Sequence, residues 1–183
     1  MSSEAAKLKI ISLFPYLSFM LIIVTGVSGT GKTTIGSGIA DKFELPFFDA
    51  DNFHPKENIE KMSLGFPLND EDRMPWLQAL ADILVAHEKT GGAVLACSAL
   101  KESYRQMLKV QDDVRWIHLK GERDLIWERM LARKNHYMKA TMLDSQVATW
   151  EEPDYGLKLN IAQSVEEMLS EAFKYLEVLP KDE

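Results

Sequence analysis

Cysteine is almost missing: Cys97 is the only one in 183 residues. That excludes an intramolecular disulfide framework and leaves nothing to build a thiolate-rich metal site. Positive charge is also in deficit, with 21 Lys and Arg against 28 Asp and Glu for a formal net charge of −7. Nonspecific nucleic-acid binding needs clustered cations to neutralise phosphates, and this balance does not supply them. A clean membrane span is lacking too. The most apolar stretch, 8–24, begins beside Lys7 and Lys9 and is broken by Ser12, Pro15, Tyr16 and Ser18. It falls short of the roughly 20 apolar residues that a bilayer requires. No small-x-small cleavage site follows it, so it does not read as a signal peptide either.

What is present is the balance of a soluble globular domain, with 46% hydrophobic and 27% charged residues. The length suits one core. No repeat, low-complexity tract or long linker divides the chain. The apolar stretch is best split at Met20, because Met20–Thr25 reads as a buried strand running into a glycine-rich loop. Residues 1–19 are then an extension of unknown role, residues 20–183 are the domain, and Met20 is an alternative start.

From Met20 onward short apolar runs alternate with helical patterns, the signature of βαβ units around a parallel sheet. Strands are expected at 21–25, 46–49, 93–97, 114–119 and 157–161. Leu-Ile-Ile-Val and Ala-Val-Leu-Ala are continuous apolar runs, as strands covered on both faces are. Helices are expected over 34–43, 75–89, 122–134, 141–150 and 165–176. Pro75 suits a first helical turn, and Gly91-Gly92 a helix end. The periodicity of 75–89 puts Trp76 in the core. Cys97 is expected at the end of a central strand as a small buried residue, not a nucleophile.

Gly26-Val27-Ser28-Gly29-Thr30-Gly31-Lys32-Thr33 matches G-x-x-x-x-G-K-[ST] at every fixed position. Glycines let successive backbone N–H groups turn inward on phosphate oxygens, and the following helix, opened by Thr34, adds its positive dipole end. In such a loop Lys32 reaches the β- and γ-phosphates of ATP, and the Thr33 hydroxyl ligates Mg²⁺. The guanine-reading N-K-x-D and the D-x-x-G switch are both missing. The chain is also too short for a motor or transporter ATPase. A small kinase remains. Asp49 and Asp51 lie two residues apart at the end of the second strand, on one side, facing the crevice where open α/β sheets bind ligands. One suits a Mg²⁺-bound water and the other an acceptor hydroxyl; as a plain acidic loop they would cap the next helix.

Four further blocks, DADNFHPKENIEKMSLGFPLNDEDRMPWL, ACSALKESYR, R-x-x-x-R-x-x-H-Y-M and LDSQ-x-x-T-W-E-x-P, resemble the gluconokinases, small P-loop kinases related to shikimate and adenylate kinases. The likeness runs from Met20 to the C-terminus. Its departures are Thr30 and Thr33 for common serines, Trp150 for a usual leucine, and Met138–Thr141 for a lid form richer in proline or serine. The resemblance implies a three-layer P-loop kinase sandwich: a five-stranded parallel sheet, helices on both faces and a lid. It implies ATP and gluconate as substrates and a homodimer. The charge balance and the short apolar stretch speak against nucleic-acid and membrane partners, and one cysteine with no export signal makes a cytoplasmic setting the expectation. The resemblance also implies that Arg129 and Arg133 of the lid meet the adenine and phosphates, and that Ser98, His136 and Gln146 belong to the acceptor site. On the residues alone, the less favoured alternative is that Arg129 and Arg133 form surface ion pairs with Glu122, Asp124 or Glu128.

Gluconate is a polyol carrying a carboxylate, so its site needs a cation and several hydrogen-bonding groups. His54, Lys61, Arg73, Lys101 and Arg105 offer cations after strand ends, against the commoner fate of a solvated surface charge. Lys61 and Arg73 are the expected carboxylate anchors, with His54 and Asp51 on the hydroxyls. Together these residues would give an acidic chain a cationic cleft. The expected reaction is ATP-dependent phosphorylation of gluconate, with Lys32, Arg133 and Asp51 as its catalytic groups. The alternatives are a kinase for another small sugar acid or polyol, shikimate-like, and a catalytically silent nucleotide-binding module.

Overall fold

The computed structural model describes residues 20–132 and 142–178. Five strands form one parallel sheet: β1 (Met20–Thr25), β2 (Phe47–Asp49), β3 (Gly92–Ala96), β4 (Arg115–Lys120) and β5 (Leu157–Asn160), in the order β2-β3-β1-β4-β5. The central strand β1 is wholly buried, paired with β3 on one side and β4 on the other. Both of its faces are therefore apolar, which is why it reads as an unbroken run rather than an alternation.

Seven helices surround the sheet among the described residues: α1 (Lys32–Phe43), α2 (Lys56–Ser63), α3 (Asp70–His87), α4 (Glu102–Leu108), α5 (Arg123–Leu131), α6 (Leu143–Thr149) and α7 (Val165–Glu177). α1 packs with α7 on one face, and α3 with α4 on the other. The crossover β1 to β2 through α1 runs one way across the sheet and those from β2 to β3 and β3 to β4 run the other, so right-handed connections require that division. α1 approaches β2 closely: a Cβ at Gly36 would lie 2.7 Å from the Phe47 ring.

The five strands agree with expectation to within a residue or two, and four of the seven helices fall on the expected segments. α3 begins at Asp70, five residues before the expected Pro75. Its start is set by a capping box in which Asn69 Oδ1 accepts from the Asp72 N–H and Asp72 Oδ2 accepts from the Asn69 N–H. Pro75 therefore lies inside the helix, and the chain stops being helical at His87; Gly92 opens β3 instead of closing a helix. α2 and α4 were not expected. Both are short, eight and seven residues, too brief for a periodic apolar stripe to stand out. Residues 1–19, the end of the expected helix 122–134, and Thr141 lie outside the described residues.

All strands point the same way, so the loops after β1, β2 and β3 gather at one edge of the sheet. The strand order reverses beside β1, and ligands of open α/β sheets bind at such a point. No helix among the described residues is long and apolar enough to cross a membrane.

Candidate active site

Residues 26–31 carry the chain from β1 into α1. Gly31, the residue before the first helical turn, has φ 96°, a conformation that side chains with a Cβ avoid. Gly29 has φ 91°, and a Cβ there would press to 2.7 Å from Met130 Cγ on α5. The loop is braced from within: the Thr30 hydroxyl donates to the Val27 carbonyl at 2.8 Å, and the Lys32 ammonium lies 3.1 Å from the same oxygen. Across the fold, Gln146 on α6 accepts the Ser28 N–H at 2.7 Å. A glycine-rich loop running into a helix N-terminus, with a lysine in the first turn, is an anion site for a polyphosphate.

Thr33 is the second residue of α1, and its hydroxyl donates to Asp49 Oδ2 at 2.7 Å. This pairing brings together the two residues expected to serve a metal. Two adjacent hard oxygens beside a phosphate nest fit Mg²⁺, which takes few protein ligands and completes its shell with water and phosphate. Among the described residues no group of three or more His, Cys, Asp or Glu could hold a metal. Asp49 Oδ1 accepts the Asp51 N–H at 3.1 Å, so one carboxylate turns the backbone that presents the other.

Beside the loop a cavity is lined by Ser28, Lys32, Asp51, His54, Arg73, Ser98 and Gln146, with Met62, Leu68 and Trp76 as its apolar wall. Seven residues expected at the phosphate or acceptor end thus meet around one space: Ser28, Lys32, Asp51, His54, Arg73, Ser98 and Gln146. His54 stacks on Trp76 with ring centroids 4.2 Å apart and planes 13° from parallel. Burial pushes the His54 imidazole down to about 4, with Asp51 opposing and Arg73 assisting. It is therefore neutral at physiological pH, which corrects its place among the cations. Its Nδ1 is buried without a hydrogen-bond partner, suited to a ligand hydroxyl. Trp76 is core as expected, 2% exposed, with its indole N–H on the Ala50 carbonyl at 2.8 Å. It also forms cavity wall. Cys97 is buried, its thiol pushed up to about 12 by desolvation; this matches the expectation of an inert residue.

Three expected substrate residues are not brought to the cavity wall. Lys61 is held by Asp72 at 2.6 Å, the same carboxylate that closes the α3 capping box. Lys101 contacts both oxygens of Asp70 at 2.8 Å. Arg105 is 1% exposed. It donates to the carbonyls of Ala99, Leu100 and Glu151, to Glu102 and to the Tyr155 hydroxyl. Arg105 locks two loops together, and its guanidinium is used up within the protein. Spacing alone does not distinguish an arginine aimed at a ligand from one aimed at backbone carbonyls.

On the other side of the loop, Gly29, Thr30, Gly31 and Thr34 line a depression with Arg129, Val165 and Met168. Arg129 donates to the Ile161 carbonyl at 2.8 Å, placing the guanidinium where the loop, α5 and α7 converge. Arg133 and His136 lie outside the described residues. Tyr104, which lies in one of the resembling blocks but was not among the expected site residues, packs against Arg73 and donates its hydroxyl proton to Asp70.

A shikimate kinase family model matches residues 28–172, from the phosphate loop into α7. The thermoresistant gluconokinase of Escherichia coli (strain K12) is 44% identical over 135 residues, covering 73% of this chain and 77% of that one. Two solved structures share the fold closely. A gluconokinase from Sinorhizobium meliloti 1021 has a TM-score of 0.79 at 38% identity, covering 87% of this chain and 92% of that one. An unliganded sugar kinase from Janibacter sp. HTCC2649 gives 0.81 at 42% identity, with 88% and 96% covered.

Proposed function

This chain belongs to the gluconokinase family of P-loop kinases, and from that premise we propose that it transfers the γ-phosphoryl group of ATP to the terminal hydroxyl of D-gluconate, giving 6-phospho-D-gluconate. The observation that carries the reading is the single cavity that joins Lys32 of the phosphate loop to Asp51, His54 and Arg73. A phosphoryl donor and a small anionic polyol can meet there.

Phosphoryl transfer passes through a loose transition state, so positioning and charge neutralisation supply most of the catalysis. The loop N–H groups and Lys32 hold the phosphates. Arg129 flanks the nucleotide, and Arg133 is assigned to the phosphates with it. Thr33 and Asp49 would hold Mg²⁺, which when bound neutralises charge on the phosphates. Asp51 orients the acceptor hydroxyl and takes its proton as that oxygen bonds to phosphorus and ADP leaves with the bridging oxygen. Arg73 receives the gluconate carboxylate, while neutral His54, Ser98 and Gln146 meet hydroxyls; His136 is assigned with them. The apolar wall of Met62, Leu68 and Trp76 excludes water, which would otherwise compete as acceptor.

Substituting Lys32→Ala or Asp51→Ala should each lower kcat with gluconate by on the order of 10²-fold or more, measured as coupled ADP release. Wild-type rates in either variant contradict the assigned role. Another sugar acid remains the second reading, since Arg73 recognises a carboxylate and not a particular polyol. The homodimer expected from the resemblance stays within this proposal, and sedimentation equilibrium is its test.

A further inference from the structure

Arg73 leaves α3 one turn after the Asn69 cap and has to present a planar fork to a planar carboxylate. A guanidinium on a long stem carries about 2 kcal/mol of rotamer entropy, so an anchor of this kind gains from being held before the ligand arrives. The structure supplies such a holder from a different part of the chain. The Arg73 guanidinium carbon lies 5.5 Å from the centroid of the Tyr104 ring, and one of its N–H groups donates to the Tyr104 hydroxyl at 3.3 Å. That hydroxyl donates its only proton to Asp70. Asp70 is fixed in turn by Lys101, which contacts both carboxylate oxygens at 2.8 Å.

The direction of this relay is set by chemistry. A phenol has one proton and two lone pairs. With the proton committed to Asp70, the oxygen presents lone pairs to Arg73 and cannot repel it. Desolvation and Asp70 raise the Tyr104 hydroxyl above its ordinary range, and Lys101 and Tyr104 hold the Asp70 carboxyl below its own. The proton thus stays on the phenol across the physiological range. The ring face fixes where the guanidinium lies, and the hydroxyl fixes its roll about the stem. The relay also ties the N-terminal turn of α3 to α4 and to the loop after β3 that carries Ser98.

We propose that Tyr104, fixed by Asp70 and Lys101, is a positioning residue that aims Arg73 at the carboxylate of the acceptor. The proposal rests on the gluconate reading given above. It moves Lys101 from substrate contact to support, separated from the ligand by Asp70, Tyr104 and Arg73, and it leaves Arg73 as the carboxylate receptor of the cavity wall.

The test is a double-mutant cycle on the full chain, read by coupled ADP release. Tyr104→Phe keeps the ring and removes only the hydroxyl. It should raise KM for gluconate about tenfold, a hydrogen bond to a charged group carrying on the order of one decade. It should move kcat much less and leave KM for ATP in place. In an Arg73→Ala background the same change should add less than about twofold, because the group it aims is gone. Asp70→Asn gives an independent reading if Tyr104→Phe folds poorly; it should shift KM for gluconate in the same direction without changing KM for ATP. An unchanged KM, a parallel rise in KM for ATP, or an equal effect with and without Arg73 overturns the positioning role. A wild-type chain inert toward gluconate overturns the functional reading and this proposal with it. A wild-type chain active on gluconate but indifferent to Tyr104→Phe overturns this proposal alone.

Discussion

Arg105 shows what a single residue can hide. It stands four positions after Lys101 in a block that otherwise looks like an anion site, yet its guanidinium is wrapped by three backbone carbonyls, Glu102 and Tyr155. One of those carbonyls belongs to Ala99, whose φ of 39° is costly for a residue with a Cβ and persists only where its surroundings enforce it. Arg105 is therefore part of what holds Ser98 at the cavity. Replacing it by methionine strands a set of buried acceptors and should cost about 3–5 kcal/mol, or about 10 °C in Tm at this chain length. Calorimetry checks this, and an unshifted Tm contradicts it. The residue type was plain in the sequence; the direction of the side chain was not, because it depends on Glu151 and Tyr155 nearly fifty positions away. Asp49 and Thr33 make the opposite case. Each was readable from its motif, and the fold brought them to 2.7 Å.

At the scale of elements, the strands were legible and the helices around the acceptor only partly so. Buried parallel strands announce themselves by continuous apolar runs between turn residues, and β1 and β3 do so. α3 was placed late because Pro75 is a strong start signal and Asn69-x-x-Asp72 a weaker one, with aspartate in place of the usual glutamate or glutamine of a capping box. The capping box carries more than the helix start, since Asp72 also binds Lys61 and so joins α2 to α3. Asn69→Ala should destabilise the protein by about 1 kcal/mol, seen as a Tm lowered by roughly 2–4 °C. An unchanged Tm would mean that the capping hydrogen bond contributes nothing.

Over the whole molecule, the cationic cleft expected from residue types is largely compensated. Lys61 and Lys101 are matched by Asp72 and Asp70, and Arg105 is withdrawn behind the loops. Lys32 and Arg73 line the cavity together with Asp51, one at the phosphate end and one at the acceptor end. Recognition then depends on the placement of a few charges more than on their sum. Burial has a second global consequence. His54 in the cavity and His118 under the phosphate loop are both pushed down to about 4. His118 Nδ1 lies 2.6 Å from the hydroxyl of Thr25, the last residue of β1. Unfolded, both imidazoles take up protons near 6.5, so between 6.5 and 4 the unfolded chain binds more protons than the folded one. Stability is therefore greatest above pH 6.5 and falls as the pH drops toward 4. Thermal melts from pH 7 to 5 should show a declining Tm, and a flat profile would contradict neutral burial of the two rings.

The most direct measurement of the central claim is kcat/KM by coupled ADP release across gluconate, shikimate and the neutral hexitol that lacks gluconate's carboxylate. The account predicts turnover with gluconate well above the acceptor-free ATPase rate, loss of most of that advantage with the hexitol, and little activity with shikimate. Turnover confined to shikimate or to the neutral polyol, with gluconate at the ATPase background, would contradict it.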